Sequence, residues 1–195
     1  MPRTVDHDER RAALVEVTAQ HIAGVGLDGV RLRDVARAAG WTTGAVSHYF
    51  PDKRTLLLTT FRTRTEMASR RVDRAMAVGS QVLQACVESF LPLDAEQTLT
   101  WRVWLAFWGA AVGDTDLAEE QQLRQRLFTD RLANTVRLGQ SLGEVRSDID
   151  VDETARYLAA LIDGVSIQAV FDSNAWTPAE QRRFARRQMA ALYDR

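Results

Sequence analysis

The sequence predicts an all-α protein of about nine helices. Apolar residues recur at intervals of three and four along almost the whole chain, which is the helical period. No stretch alternates at period two for long enough to make a strand. The breaks, at Gly79-Ser80, Pro92, Gly113-Asp114, Gly143 to Asp150 and Ser173 to Pro178, carry the residues that stop and restart helices. With 195 residues and 46% hydrophobic content, the chain can bury a sizeable core.

Taken in order, the first helix is predicted from about Asp8 to Val25, with Leu14, Val17, Ile22 and Val25 on one broad side. Asp6 or Asp8 can cap it, and Gly24 or Gly26 can end it. His21 falls amid the apolar side, as a satisfied core histidine would. Gly24-Val25-Gly26-Leu27-Asp28-Gly29 fits the letters G-x-G-x-x-G, but a nucleotide loop needs a strand before the glycines. A helix precedes them here, so the segment reads as a helix stop and loop. Leu32 to Pro51 reads as two short helices joined by a turn at Gly40. Val35, Ala36 and Ala39 face inward on the first, and Val46, Tyr49 and Phe50 on the second. A left-handed turn residue costs glycine little. Pro51 and Asp52 restart a helix that runs to about Val78. Further helices are predicted at about 81–91, 94–112, 116–142, 151–174 and 178–193. This gives a three-helix head of residues 1–50 and a body of residues 51–195, linked by the helix from Pro51.

The inward positions between Leu32 and Pro51 are those of a helix-turn-helix whose second helix lies in the major groove of DNA. Thr42, Thr43 and Gly44 stand at its N-terminal end, where short hydroxyls and bare backbone can reach base edges or phosphates. Ser47 lies one turn on, on the exposed side, as a candidate base contact. His48 and Tyr49 are placed for flanking phosphates, although the Tyr49 ring also suits the core with only its hydroxyl outward. Arg33 and Lys53 can position the head through phosphates. Arg3 lies on an arm before the first helix that can touch DNA.

The run GLDGVRLRDVARAAGWTTGAVSHYFPDKRTLL resembles the N-terminal domain of the TetR family of transcriptional repressors. The marks are RDVA, the AAG turn, G-x-V-x-H-Y-F and the following D-K-x-x-L-L. LIDGVSIQAVFD, later in the chain, is similar to the subgroup related to the choline-responsive repressor BetI. Two positions depart from the family pattern. Arg31 stands where Ser or Thr is usual, so it can reach phosphate but forgoes the helix cap. Trp41 is bulky where a smaller apolar residue is usual. The resemblance implies a homodimer on a palindromic double-stranded operator, released by a small-molecule effector bound in the body.

Net charge is −1, but its distribution is uneven. Residues 1–74 carry 13 Lys and Arg against 9 Asp and Glu, whereas residues 75–195 carry 12 against 17. A basic end on an acidic body fits local DNA affinity. The polar N-terminus has no signal-peptide core, and the longest apolar run, Val103 to Val112, is far short of the roughly 20 residues a membrane span needs. One cysteine, Cys86, excludes an internal disulfide and fits a reducing cytoplasm.

Catalysis and metal binding find little support. His7, His21 and His48 have no second ligand at metal spacing. Asp148, Asp150 and Asp152 alternate as in a calcium loop, but lack its glycine and distal glutamate, and read as a helix cap with solvated charge. No cofactor is expected.

In the body, Trp101, Trp104 and Trp108 fall within about 60° of one another on one helix. They are either core or the wall of a pocket between helices. A cationic amine, such as a choline-like compound, would be attracted by the ring faces at roughly 0.5–2 kcal/mol each. Glu88, Asp94 and Asp163 are the acids that can neutralise it. The last two helices carry apolar stripes, Leu158, Ile162, Ser166 and Ala169 on one and Phe184, Gln188 and Leu192 on the other. They suit a four-helix interface between two copies, or packing within the chain. The expected function is therefore a ligand-released repressor. The alternatives are an activator or ligand-free regulator sharing the head, and a small-molecule-binding module or enzyme with a vestigial head.

Overall fold

The computed structural model describes residues 3–77 and 81–193, with side chains from His7 onward. Nine α-helices appear among the described residues: α1 (Arg3–Gly29), α2 (Leu32–Ala38), α3 (Thr43–Tyr49), α4 (Lys53–Met76), α5 (Val82–Phe90), α6 (Ala95–Ala111), α7 (Thr115–Ser141), α8 (Val151–Phe171) and α9 (Pro178–Met189). A single 3-10 turn, Ala190–Leu192, follows. The expected break at Gly79 and Ser80 lies outside the described residues.

Aspartates start most of the long helices. Asp52, Asp94, Asp114 and Asp150 cap α4, α6, α7 and α8, each carboxylate accepting a backbone N–H three residues on. Thr177 caps α9, with Pro178 in its first turn. These caps satisfy N–H groups that a helix cannot pair internally, and each is worth about 1 kcal/mol. Glycine in the left-handed region ends three helices, Gly143 doing so after α7 at φ +71°. Gly26 breaks α1 at φ +70°, after which one short turn reaches Gly29. Gly40 takes φ +73° after α2, and Trp41 N–H then donates to Ala36 O at 2.8 Å, the six-to-one bond of a Schellman stop.

Two corrections concern α1. It begins at Arg3, so it takes in the residue expected to lie before it on an arm. The Arg3 side chain, and with it the expected DNA contact, lies outside the described residues. Val25 is 58% exposed rather than inward, and Leu27, just past the break at Gly26, is buried in the core instead.

The apolar interior has two parts. One joins Leu14 and Ile22 of α1, Val35 and Val46 of the motif, and Leu56 and Phe61 of α4 to Leu99, Val103 and Phe107 of α6. The other joins Leu83 and Val87 of α5, Leu132 and Val136 of α7, Leu158 and Ile162 of α8, and Met189 of α9. The head therefore rests on the body through α1 against α6 as well as through α4. The sequence reading, which gave the link to α4 alone, saw only the covalent path. Arg64 of α4 is buried at this junction, ion-paired with Glu16 of α1.

Candidate functional site

The α2–α3 pair presents one exposed edge. Val46 and Phe50 are fully buried, which fixes the roll of α3 and turns Thr43, Gly44, Ser47 and His48 to solvent. Thr42 caps α3, its hydroxyl oxygen accepting from Ala45 N–H at 3.2 Å. A Cβ built on Gly44 would find only Thr42 Oγ1, at 3.9 Å, so nothing in the fold requires glycine there. Tyr49 is half-buried, its ring centroid 5.6 Å from Trp41 and 4.5 Å from His7 of α1. The bulky Trp41 thus serves as packing for Tyr49.

The basic candidates divide. Arg33 is exposed, 4.0 Å from Asp34. Arg31 is exposed at the N-cap position of α2 and makes no cap hydrogen bond. Lys53 is half-buried and donates to Asp28 O at 3.0 Å, so it ties α4 to the end of α1. Its remaining N–H donors are what it has left for phosphate.

A second feature lies in the body. A cavity of about 360 Å³ opens among α4, α5, α6, α7 and α8, within the range of small-molecule sites. Trp101, Trp104 and Trp108 all border it. Trp101 is 2% exposed and its indole N–H donates to Phe90 O, so it is core and wall at once. Trp104 and Trp108 are half-buried and meet the Trp101 ring edge to face, at 5.1 and 5.8 Å. Asp163 borders the same space, and burial pushes its carboxyl up to about 6. Glu88 and Asp94 do not reach it. Glu88 pairs with Arg182 and Arg186 of α9, and Asp94 caps α6 and pairs with Arg71.

Sequence reading missed the part of the wall that α7 supplies: Gln121, Arg124, Gln125, Phe128 and Arg131. Their spacing of three and four puts them on one face, the signal that was available. Arg124 also leads out of the cavity. Its Nε donates to Glu120 at 2.8 Å, and Glu120 in turn accepts from Arg62 of α4 at 2.7 Å. Further along α4, Arg54 holds Asp114 and Asp116 at the start of α7.

The acids of the 148–152 loop are engaged structurally, Asp150 as the α8 cap, Asp148 with Arg146 and Asp152 with Arg137. His21 Nδ1 lies 2.9 Å from Val17 O, satisfied within α1.

Of the residues expected at an interface between copies, Leu158, Ile162, Ser166 and Ala169 are buried within one chain, whereas Phe184, Gln188 and Leu192 are only half-buried. Leu158, Ile162 and Ser166 are 0% exposed and Ala169 is 5% exposed. Phe184 and Leu192 pack on the same core. Gln188 is half-buried, and its carbonyl accepts from Tyr157 OH at 3.1 Å. An apolar stripe reports that a face is covered, and the chain itself covers the α8 stripe and part of the α9 one. The opposite side of α8 is the open one, with Tyr157, Gly164, Gln168 and Phe171 exposed.

A reading head with one edge of α3 bare, seated on a helical body that holds an aromatic cavity, is the build of a ligand-responsive transcription regulator. The comparisons make this specific. Residues 14–60 match the family model of bacterial regulatory proteins of the tetR family, and residues 80–194 match that of the BetI-type transcriptional repressor C-terminal domain. The chain belongs to the TetR family and is a transcriptional repressor with a BetI-type body. It is 33% identical over 175 residues to the HTH-type transcriptional regulator BetI of Burkholderia cenocepacia, covering 85% of this chain and 84% of that one. It is 28% identical over 176 residues to the regulator PksA of Bacillus subtilis, covering 88% and 84%. A transcriptional regulator from Saccharomonospora viridis, solved in complex with choline, superposes with a TM-score of 0.86 at 26% identity, over 96% of this chain and 100% of that one. No described helix is long and apolar enough to cross a membrane.

Proposed function

We propose that two copies of this chain hold a palindromic operator, each laying α3 in a major groove, and that a cationic amine of choline type in the body cavity releases them. Residues 1–50 are the reading head and residues 51–195 the body. The observation that carries the reading is the edge of α3, where Thr43, Gly44, Ser47 and His48 stand clear of the protein while Val46 and Phe50 anchor the helix. Thr42, Tyr49, Arg31, Arg33 and the spare donors of Lys53 flank that edge, and Arg3 lies in the same head. Trp104, Trp108 and Asp163 supply ring faces and a carboxylate for a cation. The copies meet on the outer side of α8. Gly164 is open there, with nothing within 4 Å of a built Cβ, so a partner helix can approach its backbone closely. The protein acts in the cytoplasm and performs no catalysis.

Release requires that the effector favour a state whose heads no longer match the half-site spacing. The test is fluorescence anisotropy with labelled duplexes tiling the DNA beside the protein's own gene, at low salt. Binding to one segment, reversed by millimolar choline, is the expected result. No binding across the whole region would end the regulator reading.

A further inference from the structure

The cavity carries more polar chemistry than a lone cation uses. At roughly 30 Å³ per water-sized group, its 360 Å³ has room for about a dozen, well beyond a choline-sized molecule. Its wall holds one carboxylate, Asp163 of α8, and two guanidiniums, Arg124 and Arg131 of α7. Asp163 makes no hydrogen bond or ion pair among the described residues. Burial raises its carboxyl, and among the described residues no ion pair joins it to either arginine.

The two arginines are not equivalent. Arg131 is engaged through Nη1 by Asp73 at 2.6 Å. Arg124 spends only its Nε, on Glu120, and its Nη groups have no hydrogen bond among the described residues. One turn earlier on the same face of α7, Gln121 Oε1 is buried without a hydrogen-bond partner. A buried polar group left unpaired costs about 1–3 kcal/mol, and a bare cation offers no acceptor for the guanidinium.

Resting on the effector reading above, we propose that the natural effector is an ammonium zwitterion. Its substituted ammonium sits against Trp104 and Trp108 beside Asp163, and its oxyanion, a carboxylate or phosphate, takes the free Nη groups of Arg124. The Gln121 amide turns its NH2 to the same oxyanion, as either end of that amide can. A zwitterion suits this wall because guanidinium and oxyanion pair with matched geometry. It also reaches the link to the head. An oxyanion at Arg124 competes with Glu120 for the same guanidinium, and Glu120 is what joins α7 to Arg62 of α4.

The test is calorimetric titration of the full chain with choline, γ-butyrobetaine, phosphocholine, and butyrate or inorganic phosphate alone. At least one zwitterion is expected to bind about tenfold or more tightly than choline, with neither anion binding by itself. Whichever zwitterion wins identifies the oxyanion. In Arg124→Gln the preference is expected to fall to within about twofold of unity while choline's own affinity holds. Arg124→Lys, which keeps the charge but not the fork, should retain part of it, and melting temperatures check that both variants fold. Choline binding as tightly as both zwitterions overturns the inference and leaves the cation reading standing. So does a preference that survives in either folded variant undiminished. Binding by no amine at all removes the cation reading, and this inference with it.

Discussion

Trp104 of α6 donates its indole N–H to Thr65 Oγ1 of α4 at 3.2 Å, so a ring that borders the cavity also braces the helix that carries the head. Trp104→Ala is expected to weaken choline binding by about 0.5–2 kcal/mol, the range of one cation–π contact, while lowering the melting temperature by only a few degrees, since the ring is half-buried. Trp104→Phe keeps a ring and loses the brace, and should uncouple ligand binding from operator release more than it weakens binding. Titration and anisotropy on the same samples separate the two. A large loss of stability with unchanged affinity would mark the stripe as packing.

Gly44→Ala should leave the head as stable as before or more so, by about 0.5–1 kcal/mol, because alanine favours helix and the site is open. Operator affinity is expected to fall by about 1–3 kcal/mol, because the methyl keeps the backbone from the DNA. Tyr49→Phe tests the phenol hydroxyl alone. Tyr49→Ala would also remove the ring that packs on Trp41 and His7, and so would confuse contact with folding. Anisotropy beside thermal melts reads both variants.

The head was legible because its determinants are local. Val35, Ala36, Val46 and Phe50 all lie between positions 35 and 50, and Gly40 marks the turn by a left-handed conformation that costs it little. The Trp101–Trp108 stripe was legible for the same reason. Arg124, Phe128 and Gln121 were not, because what they border is decided by which helix α7 packs against. The α8 stripe shows the same limit from the other side. Leu158 and Ile162 announce burial, but period alone cannot say whether the covering surface comes from the same chain. Lys53 reads as free charge until the end of α1 folds back and presents Asp28 O to it.

Asp163 sets a pH dependence. Its carboxyl loses its proton near the ordinary 3.8 in the unfolded chain and near 6 in the folded one. Between those values the folded state holds the extra proton, so this group's contribution to stability falls as pH rises through that window. At neutral pH the buried charge is a net penalty. Asp163→Asn is therefore expected to be more stable at pH 7.5, by on the order of 1–2 kcal/mol after allowing for partial solvation, with the gain shrinking at pH 5. Choline affinity of the unaltered protein should drop as pH falls below 6, and Asp163→Asn should bind weakly at every pH. Arg124 and Arg131 are the other charged groups on the cavity wall.

Gly164→Glu places a long acid on the open side of α8, where it has room. The chain should fold with an unchanged melt but appear as a monomer by light scattering, and lose operator binding with its two-fold symmetry. A dimer that persists would move the interface elsewhere.

Arg64 is 1% exposed, with its Nε and Nη1 unpaired. Replacing a buried charge by a well-packed apolar chain of similar size is often neutral or stabilising, whereas removing its partner costs about 3–5 kcal/mol where both are buried. Arg64→Met is thus expected to melt at or above the parent temperature. Glu16→Ala should melt lower, by less than the full penalty because Glu16 is half exposed.

The run of apolar contacts from Leu14 and Ile22 to Leu99, Val103 and Phe107 bears on how such regulators can be rebuilt. A chimaera spliced at residue 50 would set a foreign α1 on a floor shaped for this one. Its mismatched seam would loosen both halves, however well each motif was chosen. A working graft would have to bring the matching side of α6 along, so what is inherited together here is a pair of facing surfaces far apart in the chain rather than one contiguous segment.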